Sequence, residues 1–248
     1  MDGSKLRILP PARAEFVPEY VDCARHGEYQ ANTRDEHGVV RWLPCCPQCA
    51  ASVANERAAI PARFKARKLD NYQAQTAGQK RALAVATEYA ERFGEVKKAG
   101  RCLVFVGLPG TGKTHLACGI ANHIMERGYS ALFCTASELI RAVRATWRKG
   151  TTARTEEEVL TSLTAVDLLI VDEVGVQYGT EAEQITLFEV INRRYAEMRP
   201  IVLVSNLPAH SDDGQKTLQD YLGARAYDRL REGGGRLVVF DWPSHRGA

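Results

Sequence analysis

Gly107, Gly110 and Gly112, followed at once by Lys113 and Thr114, stand at the spacing Gly-x-x-x-x-Gly-Lys-Thr. These residue types suit a chain of phosphates. Glycines let the backbone coil closely around an anion, and the N–H groups of the coil and of the helix after it point at the negative charge. A lysine here reaches the β and γ phosphates, and the threonine hydroxyl ligates the Mg²⁺ that bridges them. The expected ligand is ATP with Mg²⁺.

A second group of residues has the types needed to use that ligand. Leu168 to Val171 is an apolar run ending in Asp172 and Glu173. Asp172 is expected to bind Mg²⁺ directly or through water, and Glu173 to orient and deprotonate the attacking water. Ile201 to Val204 is another apolar run, ending in Ser205 and Asn206. An amide at 206 suits a hydrogen bond to the γ-phosphate or the attacking water, although asparagine is equally a strand-to-turn residue. The segment Ala224 to Arg231 carries Arg225, Arg229 and Arg231. An arginine supplied by a neighbouring subunit stabilises charge developing on a transferred phosphoryl group, and composition does not choose among the three.

The elements that hold these residues follow from periodicity. Strands are expected at 102–106, 131–135, 167–172, 201–205 and 236–240, and helices at 113–127, 137–148 and 181–198, with a further helical period beginning at Gln79. Thr155-x-x-Glu158 has the form of a capping box before the third strand. Alternating strands and helices imply an α/β fold with a parallel sheet, and functional residues belong at the strand ends.

The whole chain is consistent with this reading. At 248 residues it accommodates a main domain and a small module, and 45% hydrophobic with 25% charged residues is ordinary globular composition. No apolar run reaches the length of a membrane span and the first residues lack a signal-peptide core, so no membrane role and a cytoplasmic location are expected. A net charge of +3 does not by itself establish a nucleic-acid partner. Arg63, Lys65, Arg67 and Lys68 cluster before the phosphate loop, as either a solvated linker or a contact to phosphates.

Four of seven cysteines lie between positions 23 and 49. Cys23-x-x-His26 and Cys46-x-x-Cys49 form two ligand pairs at the spacing of a structural Zn²⁺ site, with Cys45 as the alternative to Cys46 and His37 read as a turn residue. Residues 36–38 read as a hairpin tip that brings the pairs together. So small a module has little core, and metal ligation would supply much of its stability. The division expected is a zinc-binding partner-recruitment module at 1–57, a basic linker at 58–78 and the ATPase domain at 79–248.

Together these segments resemble the DnaC/DnaI family of replicative helicase loaders, a branch of the AAA+ P-loop ATPases, over about residues 60 to 246. The features that narrow the resemblance are Ile60-Pro-Ala-Arg-Phe64 with Leu69-Asp-Asn-Tyr72, Phe188-Glu-Val-Ile-Asn-Arg-Arg-Tyr195, and Ala226-Tyr-Asp-Arg-Leu-Arg231 before a strand and Asp241-Trp242. The resemblance implies a Walker B role for Asp172 and Glu173, sensor 1 for Asn206, and the arginine finger for Arg229, with Arg225 as the alternative. Arg246 falls near the family's sensor 2 arginine. Arg141, Arg144 and Arg148 fall on a helix that such proteins place near single-stranded DNA, with a solvated face as the alternative. The implied function is ATP-dependent loading of a hexameric DnaB-type helicase onto single-stranded DNA in DNA replication, with self-association through the ATPase domain. An IstB-like transposition ATPase and a zinc-dependent nucleic-acid-binding regulator are the alternatives.

Overall fold

Alternating apolar residues on both faces of a strand require cover on both sides, and this is how the carboxy-terminal part of the chain is built. The computed structural model describes residues 16–24, 27–34, 38–43, 46, 58–147, 154–176, 179–211 and 214–245. It divides into two units, Met1–Ser52 and Val53–Ala248.

The larger unit holds a parallel five-stranded sheet. Its strands are β5 (Leu103–Gly107), β6 (Ala131–Thr135), β7 (Leu168–Val174), β8 (Ile201–Ser205) and β9 (Arg236–Phe240). Their spatial order is β6-β7-β8-β5-β9, so β5 sits between β8 and β9 and β7 borders β8. Strand ends carrying the phosphate loop, the paired acids and Asn206 are therefore neighbours.

Leu103 and Phe105 face one layer with Ile170, Val202 and Val204. Helices α1 (Ala77–Glu91) and α3 (Lys113–Glu126) cover this layer through Ala82, Ala86, Leu116 and Ile120. Val104, Val106, Leu169, Val171 and Leu203 face the other layer, beneath α4 (Ala136–Ala145), α5 (Glu156–Ala165), α6 (Glu181–Ala196) and α8 (Ala224–Arg231). Short helices α2 (Phe93–Lys98) and α7 (Leu218–Leu222) complete the set among the described residues. Helix starts are fixed chemically: Thr76 with Gln79, Thr135 with Glu138, Thr155 with Glu158 and Thr217 with Asp220 each form a capping box.

Residues expected to bridge the two parts of the chain pack instead as part of this unit. Ala58, Ile60, Leu69 and Tyr72 are buried in its core, and the Phe133 N–H donates to the Ala58 carbonyl at 2.7 Å. Asn122 on α3 donates to the carbonyls of Lys65 (3.2 Å) and Arg67 (2.7 Å). Four cations in six residues are accommodated because the backbone and the apolar residues face inward while the cations stay exposed.

Among the described residues the smaller unit holds two hairpins. β1 (Tyr20–Cys23) pairs with β2 (Gly27–Gln30), and β3 (Asn32–Arg34) pairs with β4 (Val40–Trp42). Cys23 lies at the turn end of the first hairpin, opposite Gly27. The turn expected at 36–38 falls within the connection between β3 and β4, where Arg34 Nε donates to the Gly38 carbonyl at 3.1 Å. Ala31, Asn32 and Cys46 are the buried residues among those described here. Asn32 links the strand to the preceding chain, accepting from Glu19 N at 2.8 Å and donating to the Val17 carbonyl at 3.1 Å.

Candidate nucleotide site

The β5 strand ends where the chain must turn sharply against β9. Gly107 has φ +120°, and a Cβ there would lie 2.2 Å from the Phe240 carbonyl oxygen, so a side chain is excluded. Gly112 has φ +96°, and its Cβ would lie 2.7 Å from the Tyr72 ring. The first helical residue after that left-handed position is Lys113, which aims the start of α3 at the loop.

Lys113 is buried, and its Nζ donates to the carbonyls of Gly107 (2.8 Å) and Leu108 (2.6 Å). The Thr114 hydroxyl donates to Asp172 Oδ2 at 2.9 Å, and the Glu173 N–H donates to Asp172 Oδ1 at 2.7 Å. Both oxygens of Asp172 are thus oriented by partners on different elements. The carboxyl is 7% exposed, and burial pushes its pKa above the ordinary value against the pull of those two hydrogen bonds. A buried anion whose charge is undercompensated, beside a hydroxyl oxygen, is a donor set that fits Mg²⁺.

The register of β7 against β8 shifts between Val171 and Val174, so the strand is irregular at the two acids. Glu173 lies in the left-handed region with φ +57°, a conformation costly for a residue with a side chain and commonly retained at functional sites. Its exposed side chain faces the cavity that Asp172 borders. Ser205 is buried and locks the neighbouring strand end: its Oγ donates to the Val174 carbonyl at 2.6 Å and accepts from Leu207 N at 3.0 Å. Asn206 follows directly, exposed to the same cavity.

That cavity has a volume of about 670 Å³, within the size range of small-ligand sites. Gly110, Gly112, Lys113, Thr114, Asp172, Glu173 and Asn206 line it together. Arg63 and Arg67 from the basic segment line it too, with Phe64 and Tyr72, which favours the contact-to-phosphates alternative over a purely solvated linker. Tyr72, His115 and His245 line it without a role assigned from the sequence, although Tyr72 stands in a segment that carries the family resemblance. His115 Nε2 lies 3.0 Å from the Lys68 carbonyl and 2.9 Å from Asn71 Oδ1, holding the basic segment against α3. Burial lowers its pKa. His245 was signalled only by proximity to Arg246, which lies outside the described residues.

The remaining expected residues stand elsewhere. Arg229 does not line the cavity of its own chain; its guanidinium lies over the Phe188 and Tyr195 rings on α6, at 5.1 and 5.2 Å from their centroids. Arg225 is exposed on α8. Arg141 is exposed on α4, whereas Arg144 turns toward α6, 3.7 Å from Glu183 Oε1 and 3.4 Å from Thr180 Oγ1. Arg148 lies outside the described residues. Of the expected zinc ligands, Cys23 is half-buried at the end of β1 and Cys46 is buried, while His26 and Cys49, like Cys45, lie outside the described residues. Among the described residues no cluster of three or more metal-ligating side chains occurs.

Known proteins share this architecture. The IstB-like ATP binding protein family matches residues 52–233. The replicative helicase loader DnaC of Escherichia coli (strain K12) is 35% identical over 178 residues, covering 71% of this chain and 68% of that protein. The crystal structure of the DnaC helicase loader superposes with a TM-score of 0.63 at 23% identity, covering 73% of this chain and all of that one. AMPPCP-bound DnaA from Aquifex aeolicus superposes with a TM-score of 0.56 at 27% identity, over 73% of this chain and 51% of that one.

Proposed function

This chain belongs to the IstB-like ATP-binding family, and from that premise we propose that it is an ATP-dependent loader of a DnaB-type replicative helicase onto single-stranded DNA. The observation that carries the loader reading within the family is the 35% identity to a replicative helicase loader across 71% of the chain. The cavity supplies what an ATP-driven step needs from one polypeptide.

In this reading the coiled loop binds the triphosphate through its N–H groups, and Lys113 leaves the carbonyls of Gly107 and Leu108 to meet the β and γ phosphates. Thr114 and Asp172 would hold Mg²⁺, which would supply positive charge against the phosphates. Glu173 takes the proton of the attacking water, and Asn206 fixes that water or the γ-phosphate. Arg229 acts in trans: side-by-side association of ATPase domains brings it to the nucleotide of the next subunit, which is consistent with its absence from the cavity of its own chain. Arg141 on α4 remains available to the DNA backbone. No described helix is long and apolar enough to cross a membrane.

The amino-terminal unit is assigned to helicase recruitment, with Cys23, His26, Cys46 and Cys49 as ligands of a structural Zn²⁺. What supports the metal is the combination of Cys23 at a hairpin end, a buried Cys46 and, among the described residues of this unit, only Ala31 and Asn32 as other buried side chains. The full-length protein should contain about one zinc per chain, and chelation should unfold the amino-terminal unit while ATP binding persists. Metal-free protein with this unit still folded would reject the site. The loader reading itself is tested by capture on the immobilised full-length chain: a replicative helicase should be retained, whereas retention of a transposase alone would favour a transposition ATPase.

A further inference from the structure

Three hydrogen-bond donors, one from the segment before the sheet and two from the segment after β9, converge on the phosphate loop. The Tyr72 hydroxyl and the Trp242 Nε1–H both donate to the Thr111 carbonyl, at 3.2 and 3.0 Å. The His245 backbone N–H donates to the neighbouring Gly110 carbonyl at 3.0 Å. Thr111 is fully buried and Tyr72 and Trp242 nearly so. Burial pushes the Tyr72 phenol up to about 12, which keeps its proton in place as a donor. The Tyr72 ring meets Gly112, and the Trp242 ring packs on Phe240 with centroids 4.7 Å apart, so each donor is held by its own packing.

A carbonyl and the next N–H belong to one planar trans peptide and point in opposite directions. Fixing the Gly110 and Thr111 oxygens therefore fixes the N–H groups of Thr111 and Gly112, directed away from the donors. Those are the groups a phosphate loop offers to the anion. We propose that Tyr72 and Trp242 are positioning residues that set nucleotide affinity by holding the Thr111 carbonyl, and that His245 extends the same hold by one peptide. Neither aromatic residue touches the reacting atoms; their effect is to remove the reorganisation that a freely turning loop would undergo on binding. The Thr111 oxygen accepts from both donors at once, so one donor retains most of the orientation when the other is lost. The inference rests on the cavity being an ATP site, and is independent of whether the chain loads a helicase.

The test uses full-length protein with Mg²⁺ and ATP, without helicase or DNA, and compares Tyr72→Phe, Trp242→Phe and the double variant. Each single change should raise the Kd and KM for ATP about three-fold, and the double change about thirty-fold, more than the product of the singles. The kcat at saturating ATP should stay within about two-fold of wild type in all three, because the reacting groups are untouched. A role confined to folding would instead lower kcat through loss of active protein and leave KM unchanged, and that result overturns the proposal, as does a double variant with wild-type affinity. Should Trp242→Phe not fold, Tyr72→Phe deletes only an oxygen and carries the test through its KM alone. Wild-type protein unable to bind ATP would overturn the reading of the cavity, and this inference with it.

Discussion

Glu173→Gln should lower ATP turnover about a thousand-fold while leaving ATP affinity within about two-fold of wild type. The amide keeps the shape of the side chain and its polar contacts, but it cannot accept the proton of the attacking water. The backbone at 173 supports this separation: its φ of +57° and the register shift around it are properties of the strand end, which glutamine tolerates as glutamate does. Measured single-turnover hydrolysis and equilibrium binding on the same preparation resolve the two quantities. Equal turnover in variant and wild type would remove Glu173 from the chemistry and leave Asp172 as the acid of consequence.

The second large effect concerns the scaffold. Arg194 on α6 is fully buried, and no carboxylate forms an ion pair with it among the described residues. Its Nη1 donates to the carbonyls of Leu163 (2.8 Å), Thr164 (3.4 Å) and Val166 (3.1 Å), and its Nη2 to those of Asp167 (3.2 Å) and Pro200 (2.7 Å). One guanidinium thus satisfies the carboxy-terminal carbonyls of α5 and ties the chain entering β7 to the chain entering β8. Burial pulls its pKa down to about 10, and it still carries its proton at neutral pH. Arg194→Met keeps much of the volume and strands those carbonyls. Allowing for relaxation and water entry, the loss is about 4 kcal/mol, or about 10 °C in Tm for a domain of this size. Arg194→Lys, with a single ammonium in place of a planar fork, should recover only part of this. A Tm within about 2 °C of wild type for Arg194→Met would show that the carbonyls find other partners and that the arginine is not the tie.

The two residues differ in how visible they are before the fold is known. Glu173 follows four apolar residues that can only be a buried strand, so its place at a strand end follows from the pattern alone. Strands β6, β8 and β9 fall at the expected positions, because each carries a short apolar run, continuous and fully buried in the central β8 and only partly buried in the edge strands β6 and β9. Helix α1 starts at Ala77, two residues before the expected start, since the Thr76 and Gln79 capping box extends it beyond the apolar period. Arg194 sits in a helix where solvent is the default partner for arginine, and only the convergence of α5, β7 and β8 turns it inward.

The same limit applies at the site. Lys113, Thr114, Asp172, Glu173 and Asn206 are legible because each ends or begins a patterned element. Tyr72 and Trp242 stand in segments that carry the family resemblance, but their hold on the loop is not legible, because they reach Thr111 across 39 and 131 positions of sequence. The basic segment also hides its role, since its charges are exposed while its apolar residues and its backbone do the packing. Arg144 shows the converse: helical spacing placed it on a stripe with Arg141, but the nearby start of α6 draws it to Glu183.

The most direct test of the loader assignment is delivery itself. The full-length chain, the replicative helicase of the same organism and a single-stranded DNA circle are mixed with ATP, and helicase retained on the circle is counted after free protein is removed. The account predicts helicase on DNA only when the chain and ATP are both present, and a loss of DNA-stimulated hydrolysis in Arg229→Ala although ATP and helicase still bind. Helicase that never associates with the chain, alongside ATP-dependent capture of a transposase, would contradict it.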